Sequence, residues 1–409
     1  MQVQTCDSID RLRLLVIDRV RSESREILRQ PGKHKPYLES KAHLIARSAG
    51  IECSVDMIRE VVEDLLGYGP INPLMESGTV TEVQISRYDK VYVEESGILL
   101  PTNVRFRNEK HLRTLAEKIA LTSGRRLDES TPYVDTKLPD GTRVNITIPP
   151  ISSNGATISF RRFPHPYTME ELVESGTVDD EAFAYTTEVV KYGLNIAAIG
   201  SMSSGKTTLV NGLIELIGQT HGQHASVVTY EDPVELQPRH ENIRQYEARP
   251  PNIEGKGGIT IKKLAQTLML RTRADWIIFG EAKGAEAYYI VDMMNTGHSA
   301  MMTFHSDDCL SAVMFRLPAM ILMSEEGRSE GRDSALSRTA SALDVVFHCA
   351  KVLEGSRVVR RVVQVAEVLV KSLPTGLVVP DVRVVFNRKD GKLQQVVESK
   401  VFQKRRGWQ

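Results

Sequence analysis

The chain has 409 residues, 41% hydrophobic and 25% charged, which is ample for two or three packed domains and excludes a disordered or fibrous chain. Basic and acidic residues balance at 52 each, so the overall basic field of a protein devoted to nucleic acid is missing, and nucleic acid is not directly indicated as a partner. Four scattered cysteines without a Cys-x-x-Cys pair suit a reducing cytoplasm; no apolar run reaches the ~20 residues that span a bilayer, and charged residues stand where a signal peptide needs its apolar core.

Residues 1–67 read as a helical N-terminal region, with Leu12, Leu15, Val16 and Val20 at helical spacing, the pattern repeated over 55–66, and Pro31 and Pro36 expected to break the two. Its mixed charge signs favour packing on the chain itself over a membrane surface. Residues 68–163 read as a small α+β domain. Strands are expected at 79–86, 90–94 and 104–107, with Ser96-Gly97 as a turn. Asn108 should cap a helix that buries His111, Leu112, Leu115, Ile119 and Ala120 and stops at Gly124. Two strands around Pro139-Asp140-Gly141 and one over 156–160 complete the domain. The proline-marked, acidic stretch 164–180 reads as a linker with a short helix over 170–173.

From 181 to 409 apolar runs at 196–199, 225–230, 276–279 and 299–304 alternate with helical patterns, as in a parallel sheet covered on both faces. Further β-rich runs follow at 345–352, 358–370 and 378–386, with Asp390-Gly391 as a hairpin turn. The end carries Lys404, Arg405 and Arg406, a basic tail that reads as a solvated end.

The first of these strands leads into Gly200-Ser201-Met202-Ser203-Ser204-Gly205-Lys206-Thr207-Thr208. Glycines at both ends let successive N–H groups face inward, the helix that follows presents its positive end, and Lys206 adds a mobile charge. This reads as a phosphate-binding loop for a nucleotide, with Thr207 as a magnesium ligand. Glu231 and Asp232 leave a strand side by side and suit magnesium held through water. Glu281, after the strand 276–279 and Gly280, is placed to orient the attacking water, while Asp275 at the other end reads as structural. His298 and His305 flank the strand 299–304 and are expected to complete the pocket, His298 by sensing or positioning phosphate and water; zinc is not indicated.

In that order, GSMSSGKT, the Glu-Asp-Pro box, the Gly-Glu after a strand and TGHSAMMTFHS resemble the secretion ATPases of type II and type IV systems and related pili. GPINPLMESGTVTEVQIS, GRRLDESTPYVDTKLPDGTRVN and ISFRRF resemble the CpaF-type branch, which serves tight-adherence pili and is close to the VirB-type conjugation ATPases. The resemblance covers roughly 60 to 370. It implies a homo-hexamer of subunits with an N-terminal domain and a RecA-like ATPase domain, a nucleotide held between them, and an inner-membrane platform or secretion complex as partner. It also implies that N-terminal-domain arginines reach the γ-phosphate, with Arg143 in DGTRV and Arg161 or Arg162 in SFRRF as the matching residues. Lys283 departs from the family's arginine, and Ala274-Asp275-Trp276 from its Pro-Asp-Arg. Two other readings remain open: a RecA-like translocase acting on nucleic acid, and a nucleotide-gated scaffold.

Overall fold

A computed structural model of the chain describes residues 8–9, 11–13, 15–16, 19, 31–95, 97–162, 166–249, 256–268, 271–355 and 357–402. Val20, Ser96, Pro164 and the tail residues Lys404, Arg405 and Arg406 lie outside them. The chain divides into two compact units, Met1–Pro164 and His165–Gln409.

In the first unit, helices Pro31–Ser48 and Val55–Leu66 bury Leu38, Ala42, Ile58, Val61 and Val62 together with Leu12 and Val16. Pro31 opens the first of these helices and Pro36 lies inside it, so neither separates two helices as expected. A proline at the first helical position removes an N–H that has no intrahelical partner anyway. The strands β1 (Val80–Arg87), β2 (Lys90–Glu95), β3 (Ile98–Pro101), β4 (Tyr133–Lys137), β5 (Arg143–Thr147) and β6 (Thr157–Arg161) form one antiparallel sheet in the order β3-β2-β1-β6-β5-β4. The third strand is thus Ile98–Pro101, and 104–107 is irregular chain that leads into the helix Glu109–Thr122. That helix begins where expected, because the Asn108 side chain accepts the His111 N–H at 2.9 Å.

Asp64 ties the two halves of this unit together. Its buried carboxylate faces the His111 Nε2 at 2.9 Å, Arg107 at 3.1 Å and Arg13 at 3.7 Å. Burial works against its charge, but the His111 hydrogen bond and the nearby Arg107 and Arg13 outweigh that and hold its carboxyl below the usual range. Lys118 Nζ donates to the carbonyls of Asp64 (2.8 Å), Leu65 and Gly67 at the end of helix Val55–Leu66, and burial pushes its amine down to about 8.

In the second unit, a sheet of nine strands runs β15-β14-β13-β12-β7-β11-β10-β8-β9. Its parallel part comprises β7 (Ile196–Ile199), β8 (Val227–Glu231), β9 (Ile243–Glu247), β10 (Trp276–Phe279), β11 (Ser299–Phe304) and β12 (Val345–Glu354). Then β13 (Arg357–Ser372), β14 (Val378–Lys389) and β15 (Lys392–Gln395) add antiparallel pairs, with Asp390-Gly391 as the last turn. Alternate residues of the central strands enter separate cores: Ile196, Ala198, Trp276 and Ile278 on one face, Ala197, Ile199, Ile277 and Phe279 on the other. Burial on both faces explains why IAAI and WIIF carry no polar residue.

The stretch read as a linker is packed into this unit from Met169 onward. Thr168 and Glu171 form a reciprocal capping box, and Met169 and Leu172 lie in the same core as Leu213 of the helix Lys206–His221. Of its acidic residues, Glu170 and Glu174 lie on the exposed side of the helix Met169–Glu174, and Asp180 opens the next helix, Asp180–Lys191.

Candidate active site

The strand β7 ends at Ile199 and the chain turns at once through Gly200, whose φ is 141°. A side chain there is impossible without rearrangement, because a Cβ would lie 2.0 Å from the carbonyl oxygen of Cys349 on the neighbouring β12. Gly205, φ 102°, precedes the helix Lys206–His221, and Ser203 holds a left-handed φ of 57°. Met202 is 70% exposed at the loop tip, whereas Ser204 is buried and its Oγ has no partner among the described residues.

Lys206 Nζ folds back over this loop, 3.0 Å from the Gly200 carbonyl and 2.9 Å from that of Ser201. Burial pushes its amine below the usual value, and the nearby Glu281 charge opposes that shift. Thr207 and Thr208, both half-buried, continue the first turn. A hollow with a helix N-terminus behind it, a lysine resting on backbone carbonyls and an unsatisfied buried hydroxyl fit a phosphate group. An open cavity of about 430 Å³ adjoins it, lined by Ser201, His305, Ser306, Asp307 and Phe315 among others.

Glu281 and His305 leave the carboxyl ends of β10 and β11, next to the loop that leaves β7. His305 Nδ1 stands 3.0 Å from the Gly200 carbonyl and 3.3 Å from Lys206 Nζ, and its Nε2 stands 3.0 Å from Glu281 Oε1. Lys283 holds the other Glu281 oxygen at 3.2 Å and donates to the Asp232 carbonyl at 3.1 Å. The residue that departs from the family pattern therefore contacts the candidate water-activating carboxylate directly.

Three expected site residues are placed elsewhere. His298 precedes β11 and pairs with Thr296 at 3.0 Å. Since β11 runs parallel to β7, His298 sits at the opposite end of the sheet, a strand of six residues or about 20 Å from the loop, and does not enter this chain's pocket. Glu231 is 1% exposed, and its Oε2 accepts the Glu235 and Leu236 N–H groups at 2.7 and 2.8 Å. Its carboxylate caps the turn after β8 and is withdrawn from a metal; Asp232 alone of the pair keeps an accessible carboxylate. Burial pushes the Glu231 carboxyl above the usual range. Arg162 spends its Nη1 on the carbonyls of Ser77, Leu74 (3.4 Å) and Val80 (3.1 Å), fastening the end of β6 to the start of β1. Asp275 accepts the Ser226 N–H at 2.8 Å at the amino ends of the strands, in keeping with a structural role.

Arg161 and Arg143 are directly opposed across β5 and β6, and Lys137 opposes Arg143 across β4 and β5. Strand alternation puts all three on the sheet face away from the core residues Val144 and Phe160. On the other side of Arg161, Glu82 of β1 stands directly opposite it, so a carboxylate of the same sheet flanks the cations.

Residues 64–372 match the model of the type II/IV secretion system protein family. The Mycobacterium tuberculosis (strain H37Rv) protein Rv3659c, whose name assigns it provisionally to conjugal transfer, is 31% identical over 310 residues, 73% of this chain and 85% of that one. Type IV secretion system protein VirB11 of Bartonella henselae is 24% identical over 69% of this chain and 88% of its own length. Among solved structures, the Legionella pneumophila ATPase DotB superposes with a TM-score of 0.50 at 21% identity, over 69% of this chain and 75% of that one. The pilus retraction motor PilT with ADP bound also reaches 0.50, at 16% identity over 71% and 80%. These two likenesses speak to fold, a RecA-like ATPase domain preceded by a smaller N-terminal domain. With a family match across three quarters of its length, the chain belongs to the type II/IV secretion system protein family.

Proposed function

We propose that the chain hydrolyses ATP with magnesium and uses the cycle to drive pilus assembly or type IV secretion, as a hexameric motor at the cytoplasmic face of the inner membrane. The observation that carries this is the junction of Lys206, His305 and Glu281. It joins a phosphate-gripping lysine to a carboxylate able to orient water, although they lie 75 residues apart in sequence. Lys206 and the N–H groups of residues 200–208 grip the phosphates, and Glu281 accepts the proton of the attacking water. Thr207, with Asp232 through water, holds magnesium, which neutralises phosphate charge when bound. Arg143 and Arg161 supply further positive charge from the N-terminal unit, Arg162 having a structural task.

Membership of the CpaF-type branch, with a pilus or secretion platform as partner, rests on the resemblance of the N-terminal motifs. The balanced charge argues against direct action on nucleic acid. The test is phosphate release from ATP with magnesium by the purified chain beside Lys206→Ala. Turnover that vanishes in the variant supports the reading, and wild-type turnover no faster than the variant's overturns it in favour of a nucleotide-gated scaffold.

A further inference from the structure

Behind the phosphate loop lies a residue from a distant strand, Arg360 of β13. Its stem packs under the loop, where a Cβ on Gly205 would lie 3.6 Å from the Arg360 Cβ and Cδ. Its Nε donates to the carbonyl of Ser203 at 3.0 Å across 157 residues of sequence. Ser203 is the loop residue in the left-handed region, a conformation that costs a non-glycine residue about 1 kcal/mol and persists only when its surroundings hold it.

A trans peptide carries its C=O and N–H on opposite sides. A donor that fixes the Ser203 carbonyl outside the loop therefore turns the Ser204 N–H to the inside. Among the described residues, that N–H makes there a single 3.4 Å contact, with the Ser201 carbonyl. Were the peptide to flip, a carbonyl would face the phosphates in place of a donor. The same stretch of β13 is itself anchored: Thr177 donates its hydroxyl to the Arg360 carbonyl at 3.2 Å, Val362 N–H donates to the Thr177 carbonyl at 2.9 Å, and Arg361 donates to the Ser175 carbonyl at 3.0 Å.

We infer that Arg360 is a positioning residue of the phosphate loop, acting through the Nε–H bond to Ser203 rather than through its charge. The inference rests on the ATPase reading above and goes beyond it. Arg360→Gln keeps an N–H donor at the same distance along the side chain and loses the charge. Arg360→Met keeps the length and loses the donor.

The experiment measures binding of a non-hydrolysable ATP analogue with magnesium, KM and kcat for ATP, and Tm, for the full-length wild type and both variants. Arg360→Met is expected to weaken binding and raise KM about tenfold, the factor one ordinary hydrogen bond supplies, with kcat within about twofold. Arg360→Gln is expected to stay within about threefold of wild type. Where Arg360→Met melts more than about 5 °C below wild type, Arg360→Leu, which removes the same donor, replaces it. Wild-type affinity in Arg360→Met overturns the inference alone, as does a Gln variant as weak as Met. A wild type that binds no nucleotide overturns the ATPase reading and the inference with it.

Discussion

His305 Nε2 lies 3.0 Å from Glu281 Oε1, while Nδ1 of the same ring lies 3.0 Å from the Gly200 carbonyl. One imidazole therefore spans the carboxylate chosen for water activation and the loop chosen for phosphate. Residues joined in this way act as a unit, and their contributions do not add.

Glu281→Gln should bind ATP with magnesium nearly as tightly as wild type and lose about 10²-fold or more in kcat. His305→Ala should also lose turnover, and the double variant should be little worse than Glu281→Gln. A cycle of kcat values in which the two losses simply multiply would remove His305 from any partnership with Glu281.

Arg161 and Arg162 are neighbours with opposite expectations. Arg162→Ala leaves the carbonyls of Ser77 and Val80 without their donor and should cost the first unit about 2 kcal/mol, seen as a lower urea midpoint. Arg161→Ala, on the outer face opposite Arg143, should leave that midpoint in place and lower kcat. Equal loss of stability in the two variants would contradict the division.

Asp64 predicts an acid-sensitive N-terminal unit. Its folded-state carboxyl titrates below its ordinary value of 3.8, so the unfolded chain takes up the proton first as pH falls. The stabilisation is therefore fully present above about pH 4–5 and drains away as pH falls through the folded value. The urea midpoint of this unit, followed between pH 3 and 7, should drop at the acid end. Asp64→Asn should flatten that drop and cost about 3 kcal/mol at pH 7, because Arg107 and His111 lose a charged partner. An unchanged acid slope in the variant would assign it to other groups.

Gly200→Ala pushes a Cβ to 2.0 Å from the Cys349 carbonyl, a backbone group that cannot rotate away. A loss of about 3 kcal/mol is expected. In a unit of this size that lowers Tm by roughly 6–12 °C. A variant that melts with the wild type would show that β12 yields at this point.

Much of the fold is readable from short windows. The uniformly apolar IAAI and WIIF mark strands buried on both faces, Asn108 marks a helix start, and the glycine spacing of GSMSSGKT marks the tight turn between a strand and a helix, since each depends on residues within a few positions of one another. Misreadings arose where the same local pattern serves two ends. A β-like run over 104–107 proved irregular, and the stretch read as a linker does carry its short helix, Met169–Glu174, but packs it into the core of the second unit.

The order of residues specifies which chemical groups are present: a loop able to grip phosphate, a carboxylate after a buried strand, and cations in the N-terminal half. Which of them meet follows from how the sheet is assembled. Strand direction sent His305 to the loop and His298 to the other end of the sheet, burial turned Glu231 inward onto two backbone N–H groups, and strand order brought Arg360 beneath Ser203. Backbone propensity and motif geometry act over a few residues, whereas pairings across 105 or 157 residues depend on how the whole sheet is ordered.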